Sequence, residues 1–215
     1  MNHLTLPTPL LDYQHPDIQA LIAAKGWRAL SPYERIGAAY HYVRDSIAFG
    51  YNASDDLPAS SVLADGIGQC NTKGTLLMAL QRGAITGVAY RLAPQSIIHS
   101  WVEVWWDGRW VNLEGFILDR AYLTALQTRF AAHAGPFCGF GVATPDLQNP
   151  AVDWCGTDTY IQRDGINHDF GVFDTPDDFY ARHGVNLSGP KRWLFRNVVR
   201  RWMNRNVASI RAQAT

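Results

Sequence analysis

The run IIHSWVEVWWDGRWVNLEGF, residues 97–116, constrains the fold more than any other stretch of the chain. Two strand-like segments rich in Val, Ile and Trp flank Asp107-Gly108, a pair that favours a two-residue type I′ turn. Such a turn fixes the register: Trp106 opposes Arg109, Val104 opposes Val111, Val102 opposes Leu113, and extension places His99 opposite Phe116. Side chains alternate between faces, and opposed residues share one. One face therefore carries His99, Trp101, Glu103 and Trp105 together with Trp110, Asn112, Glu114 and Phe116. Glu114 is the diagonal neighbour of His99, roughly 7 Å away between backbones and within reach of a carboxylate–imidazole hydrogen bond. Asp119 is the rival acid, but it lies further along the chain and on the opposite parity, so the register selects Glu114.

A histidine beside a carboxylate is most often structural, and it gains meaning only with a reactive partner. ADGIGQCNTKG, residues 64–74, supplies one. A thiol at the start of a helix faces unpaired N–H groups and the positive end of the helix dipole, both of which favour the thiolate. Gly66 and Gly68 allow a tight turn there, and the backbone N–H of Cys70 is a natural oxyanion donor. Alone, Cys70 reads as a buried core thiol. Cys70, His99 and Glu114 together have the nucleophile, base and orienting-acid logic of a catalytic triad.

The surrounding elements follow from local signals. Ser31-Pro32-Tyr33-Glu34 combines an N-cap, a first-position proline and a capping box, and predicts a helix to about Ser46. FGYNASDDLPASS, residues 49–61, reads as a loop, with Tyr51 and Asn52 preceding the thiol. Leu76, Leu77, Ala79 and Leu80 predict a mostly buried helix after Cys70, closed by Gly83. Ile85 to Leu92 reads as a strand broken by Pro94, and short helices are predicted at 119–132 and 176–183. Thr175 caps the last of these, Pro176 and Asp178 open it, and Gly184 ends it.

GIGQC followed by an apolar helix, then HSWVEVWWDGRWVNLEG, resembles the transglutaminase-like superfamily of papain-type folds. The likeness covers about residues 30–120 and rests on the order, the spacing and the Trp placement. It implies an α+β fold in which the helix led by the catalytic Cys packs on an antiparallel sheet. It also implies cysteine-dependent amide chemistry as a peptidase, an amidase or deamidase, or an acyltransferase. Carried onto this chain, Cys70 is the nucleophile, His99 the general base and acid, and Glu114 the orienting acid. The chain departs in having Glu114 where the family usually has Asp, and in a short interval of 29 residues from Cys to His. The implied substrate is a peptide or other amide, with an amine as co-substrate if the acyl group is transferred. No metal or organic cofactor is implied. The competing reading is a catalytically inactive binding module with the same fold, acting through its groove and its C-terminal helix.

Composition excludes other classes. Three scattered cysteines without a C-x-x-C pair make neither a disulfide framework nor a zinc site, and Cys138, Cys155, His133 and His168 have no metal-ligand spacing. No apolar run reaches membrane-spanning length and the N-terminal segment lacks a signal-peptide pattern, so the expected setting is cytoplasmic and reducing. The zero net charge hides an asymmetry: residues 1–189 hold 12 basic and 19 acidic residues, and the remainder holds seven basic residues and no acid. The expected division is therefore a transglutaminase-like domain over 1–188 and a basic amphipathic helix over 189–215. That helix, with Lys191, Arg192, Arg196, Arg200, Arg201 and Arg205, is expected to dock on the acidic body. An anionic membrane surface, a nucleic acid or a protein partner is the alternative for the same charges.

Overall fold

The structure is a computed structural model and describes residues 6–84, 90–95, 99–165, 170–187 and 189–214. The fold is α+β. Its first helices are α1 (Pro16–Ala24) and α2 (Pro32–Asp45). In α2 the capping box is complete: Ser31 Oγ accepts from the Glu34 N–H, and Glu34 Oε2 accepts from the Ser31 N–H at 3.0 Å.

The segment expected to be a loop holds more order than that. Strand β1 (Ala48–Phe49) pairs in parallel with β2 (Ile67–Gly68), and between them α3 (Ala59–Asp65) starts within the Pro-Ala-Ser-Ser run. Gly66 ends α3 with φ at 63°, a conformation that favours glycine.

Helix α4 (Cys70–Ala84) is the centre of the molecule and packs against α1, α2, α3 and β4 (His99–Trp106). It passes through Gly83 instead of stopping there. A Cβ on Gly83 would stand 2.9 Å from Ile22 Cδ1, so this glycine lets α1 approach closely and does not cap the helix. A helix surrounded by other elements has no polar face. Its polar side chains turn to main-chain carbonyls: Gln81 donates to the Ile36 carbonyl, and Arg82 donates through its two NH₂ groups to the carbonyls of Leu6 and Asp174.

The sheet has the antiparallel order β3-β4-β5, with β3 at Tyr90–Gln95 and β5 at Arg109–Leu113. Strand β3 runs through Pro94, where the sequence suggested a break, and residues 85–89 of the expected strand lie outside the described residues. It is an edge strand, where a missing N–H need not cost a ladder hydrogen bond. The β4–β5 register is the one set by the two-residue turn: Trp106 opposes Arg109, Val104 opposes Val111, and Val102 opposes Leu113. Asp107 and Gly108 both take positive φ, as a type I′ turn needs. The pairing stops at Leu113, so Phe116 does not oppose His99. It turns into the core and meets the Tyr40 ring edge-on at 6.1 Å.

Helix α5 (Arg120–Arg129) starts at its cap Asp119 and ends three residues short of the expected bound. A small hairpin of β6 (Phe137–Gly139) and β7 (Val142–Thr144) follows. Helix α6 (Pro176–His183) has Thr175 and Gly184 at its ends. The chain closes with α7 (Gly189–Leu194), a π turn over Phe195–Val199 and α8 (Arg200–Arg211), which packs on α5.

Candidate active site

Cys70 is the first residue of α4 and is partly buried. The turn before it is tied down on both sides. Gln69 donates to Asp55 and accepts from the Asn52 N–H, while the Gln69 N–H donates to Thr72 Oγ1. Gly68 is required here, because a Cβ would lie 2.7 Å from Lys73 Cγ and 2.9 Å from Thr72 Oγ1. Asn71 sets the other flank: its Oδ1 accepts from Ser100 Oγ at 2.8 Å and from the Cys70 thiol at 3.7 Å. That contact joins the start of α4 to the start of β4.

His99 opens β4 with a side chain only 15% exposed, and its Nε2 lies 2.6 Å from Glu114 Oε1. With Nε2 held by the acid, Nδ1 is the ring nitrogen left for the thiol. Burial pushes the His99 imidazolium towards losing its proton. The charge and hydrogen bond of Cys70, followed by those of Glu114, outweigh burial and raise the group to about 10. The sulfur on one side and the carboxylate on the other thus both favour the protonated form of the His99 ring.

Glu114 is fully buried, and its placement uses residues that the sequence reading did not single out. One residue after β5 ends, its N–H leaves the hairpin and donates to the Thr159 carbonyl at 3.1 Å. Its second oxygen, Oε2, accepts the N–H groups of Ile161 at 2.8 Å and Gln162 at 3.0 Å. The next residue, Gly115, has no room for a side chain, since a Cβ would stand 2.6 Å from the Tyr40 hydroxyl and 2.8 Å from Val152 Cα. Thus Thr159–Gln162, some 45 residues away in sequence, form the cradle of the acid. No local pattern in TYIQ announces that role.

The structure brings Cys70, His99 and Glu114 together and keeps Asp119 apart. Asp119 caps α5, accepts the Phe49 N–H at 2.7 Å and pairs with Arg211. Asn52, from the loop before the thiol, is fully buried and structural, donating to Asp65 and to the Ile67 carbonyl. Tyr51 and Tyr180 lie within electrostatic range of Cys70. Burial raises both hydroxyls, and the charge of Cys70 adds to the rise in each. Trp101 donates to Asn112 Oδ1 at 2.9 Å, and Trp105 meets Trp110 at 5.5 Å, so these tryptophans pack across the strands of the His99 face.

Cys138 and Cys155 are exposed, and no group of three metal-ligating side chains occurs among the described residues. His168 lies outside the described residues. Among those residues, no helix is long and apolar enough to cross a membrane.

No curated relative matches the chain. Among solved structures, a "putative cysteine protease" from Cytophaga hutchinsonii aligns at 16% identity and a TM-score of 0.43, over 52% of this chain and 40% of that one. The chain thus spans less than half the length of that structure. Residues 22–115 match the family model of the transglutaminase-like superfamily, which supports a cysteine-dependent enzyme. That stretch, which holds Cys70, His99 and Glu114 together, is where the chain is similar to the transglutaminase-like superfamily.

Proposed function

We propose that the chain breaks an amide bond through an acyl-thioester on Cys70. The carrying observation is the partly buried His99, 2.6 Å from a fully buried Glu114 and raised to about 10 by Cys70 first and Glu114 second. In the first step the Cys70 sulfur attacks the amide carbonyl and the oxyanion is held by N–H groups at the start of α4. As the C–N bond breaks, the proton on His99 passes to the leaving amine and the thioester remains. In the second step a water or an amine gives its proton to His99 and attacks the thioester. Collapse returns the sulfur and its proton to the Cys70–His99 pair. Glu114 holds the ring by Nε2 throughout, with Nδ1 towards the sulfur.

The test is alkylation by iodoacetamide near pH 6, followed by mass analysis of labelled cysteines. Fast, selective labelling of Cys70 that slows in His99→Ala supports the reading. A thiol no faster than Cys138 and Cys155 would overturn it and favour an inactive binding module. Incubation of the active protein with cell extract, and an added mass on Cys70, then identifies the acyl group.

A further inference from the structure

We propose that the C-terminal helix lays its outer face on an anionic lipid surface. The π turn is the feature that builds this face. Its closing bond runs from the Arg200 N–H to the Phe195 carbonyl, five residues back, so residues five apart stack across it. Trp193, Val198 and Trp202 then lie along one side with Leu194 beside them, whereas an uninterrupted α-helix would turn Trp193 well away. All four are exposed, at 66%, 54%, 63% and 49% respectively.

This stripe is not the docking face. The helix is held to the body by buried Val207 and Ile210, by Arg192 on Ser54 and Asp56, and by Arg211 on Asp119. Asn204 adds a two-way bond, accepting the Tyr51 N–H and donating to the Tyr51 carbonyl. Only Arg192 and Arg211 of the seven basic residues pair with acids among the described residues. Lys191, Arg196, Arg201 and Arg205 are exposed and make no ion pair there. A tail that served only to neutralise the acidic body would not leave these charges outward beside bare tryptophans.

The patch continues onto the body. Phe140, at the tip of the β6–β7 hairpin, is 44% exposed and shares with Trp202 a solvent-open pocket of about 460 Å³. The Arg129 guanidinium lies over its ring at 5.2 Å. Exposed tryptophan and aliphatic side chains ringed by Arg and Lys match the interfacial zone of a bilayer with anionic headgroups. Duplex nucleic acid would use the cations, but its bases are already paired and stacked, so Trp193, Trp202, Leu194 and Val198 would stay in water. A second copy of the chain would set like charges against each other.

The experiment is sedimentation of the full chain with vesicles of equimolar phosphatidylserine and phosphatidylcholine, against phosphatidylcholine alone, with tryptophan emission as a second readout. Retention on the anionic vesicles near 0.1 M salt with a blue-shifted emission, and release at high salt, are expected. R196A/R201A should weaken binding about 25-fold, about fivefold per cation, and W193A/W202A should abolish the emission shift. These positions are exposed, and thermal melts of the variants check folding. Reversal by salt in the unmodified chain needs no variant. The proposal is overturned by no retention on anionic vesicles, by equal retention on neutral ones, or by variants that bind like the parent. Binding of duplex DNA or self-association without vesicle binding would overturn it equally.

Discussion

Replacing Glu114 with Gln tests the electrostatic core of the site. The carboxylate accepts three hydrogen bonds, one from His99 Nε2 at 2.6 Å and two from the N–H groups of Ile161 and Gln162. The Gln carbonyl oxygen can keep the backbone pair, which leaves its NH₂ facing the imidazole. An NH₂ opposes an imidazolium N–H and fits only a neutral ring that presents a lone pair at Nε2. Alanine would be a poorer probe, because it strands two buried N–H groups at about 1–3 kcal/mol each. A hydrogen bond to a charged group contributes about 1.5–3 kcal/mol. At 1.36 kcal/mol per pH unit, its loss should lower the His99 midpoint from about 10 to about 8 to 9. C70A should lower it further, since the sulfur contributes more than the carboxylate. The assay is NMR titration of ring-labelled histidines, with His99 assigned by H99N. A midpoint unmoved in E114Q, or one that falls further in E114Q than in C70A, would refute the reasoning.

Other perturbations probe the frame around the site. Lys73 is fully buried, donates to the carbonyls of Arg44 and Ile117, and is pushed down to about 7 by burial, against the charges of Asp119 and Asp45. The unfolded chain therefore binds more protons between about 7 and 10.5, and stability rises with pH across that window. K73M removes this gain, so urea melts should show it costing more near pH 10 than near pH 7. G115A should destabilise by about 1–3 kcal/mol, because its methyl meets the Val152 main chain as well as Tyr40. Y40F should not rescue it in thermal melts. R211A leaves the carboxylate of Asp119, 4% exposed, without its cation, a loss of about 1–3 kcal/mol near neutral pH. Burial raises Asp119, but Arg211 and the N–H groups of Phe49 and Tyr122 hold it below 3.8. That stabilisation is present above 3.8 and lost below, so the penalty of R211A in urea melts should shrink as the pH falls.

What the sequence revealed and what it hid follow one rule: signals within a turn or a hairpin are legible, and those that need distant chain are not. Asp107-Gly108 fixed the register, and the register put His99 and Glu114 on one face, because a two-residue turn leaves no freedom of pairing. Ser31 and Glu34 marked a helix start by the same local logic. Gly83 misled because a glycine that admits Ile22 looks like one that ends a helix until the neighbour is known. Pro94 misled because edge and central strands differ only in what lies beside them.

The acid shows the rule at its sharpest. Parity placed Glu114 beside His99, yet its pairing with β4 ends one residue earlier, and its position depends on Thr159, Ile161 and Gln162. Those three lie beyond residues 22–115, so the stretch that matches the family model does not by itself hold its own carboxylate in place. The Oγ of Thr159 accepts from the N–H groups of both Glu114 and Gly115, so T159V removes two bonds at once and leaves the fully buried carboxylate less fixed. A longer side chain than Asp suits such an acid, because one oxygen must reach the ring while the other reaches a strand-like segment across the site. If this is why Glu stands at 114, E114D cannot satisfy both ends. It should lower the His99 midpoint by NMR although the charge is kept, whereas a midpoint equal to the parent's would show that the extra methylene is idle.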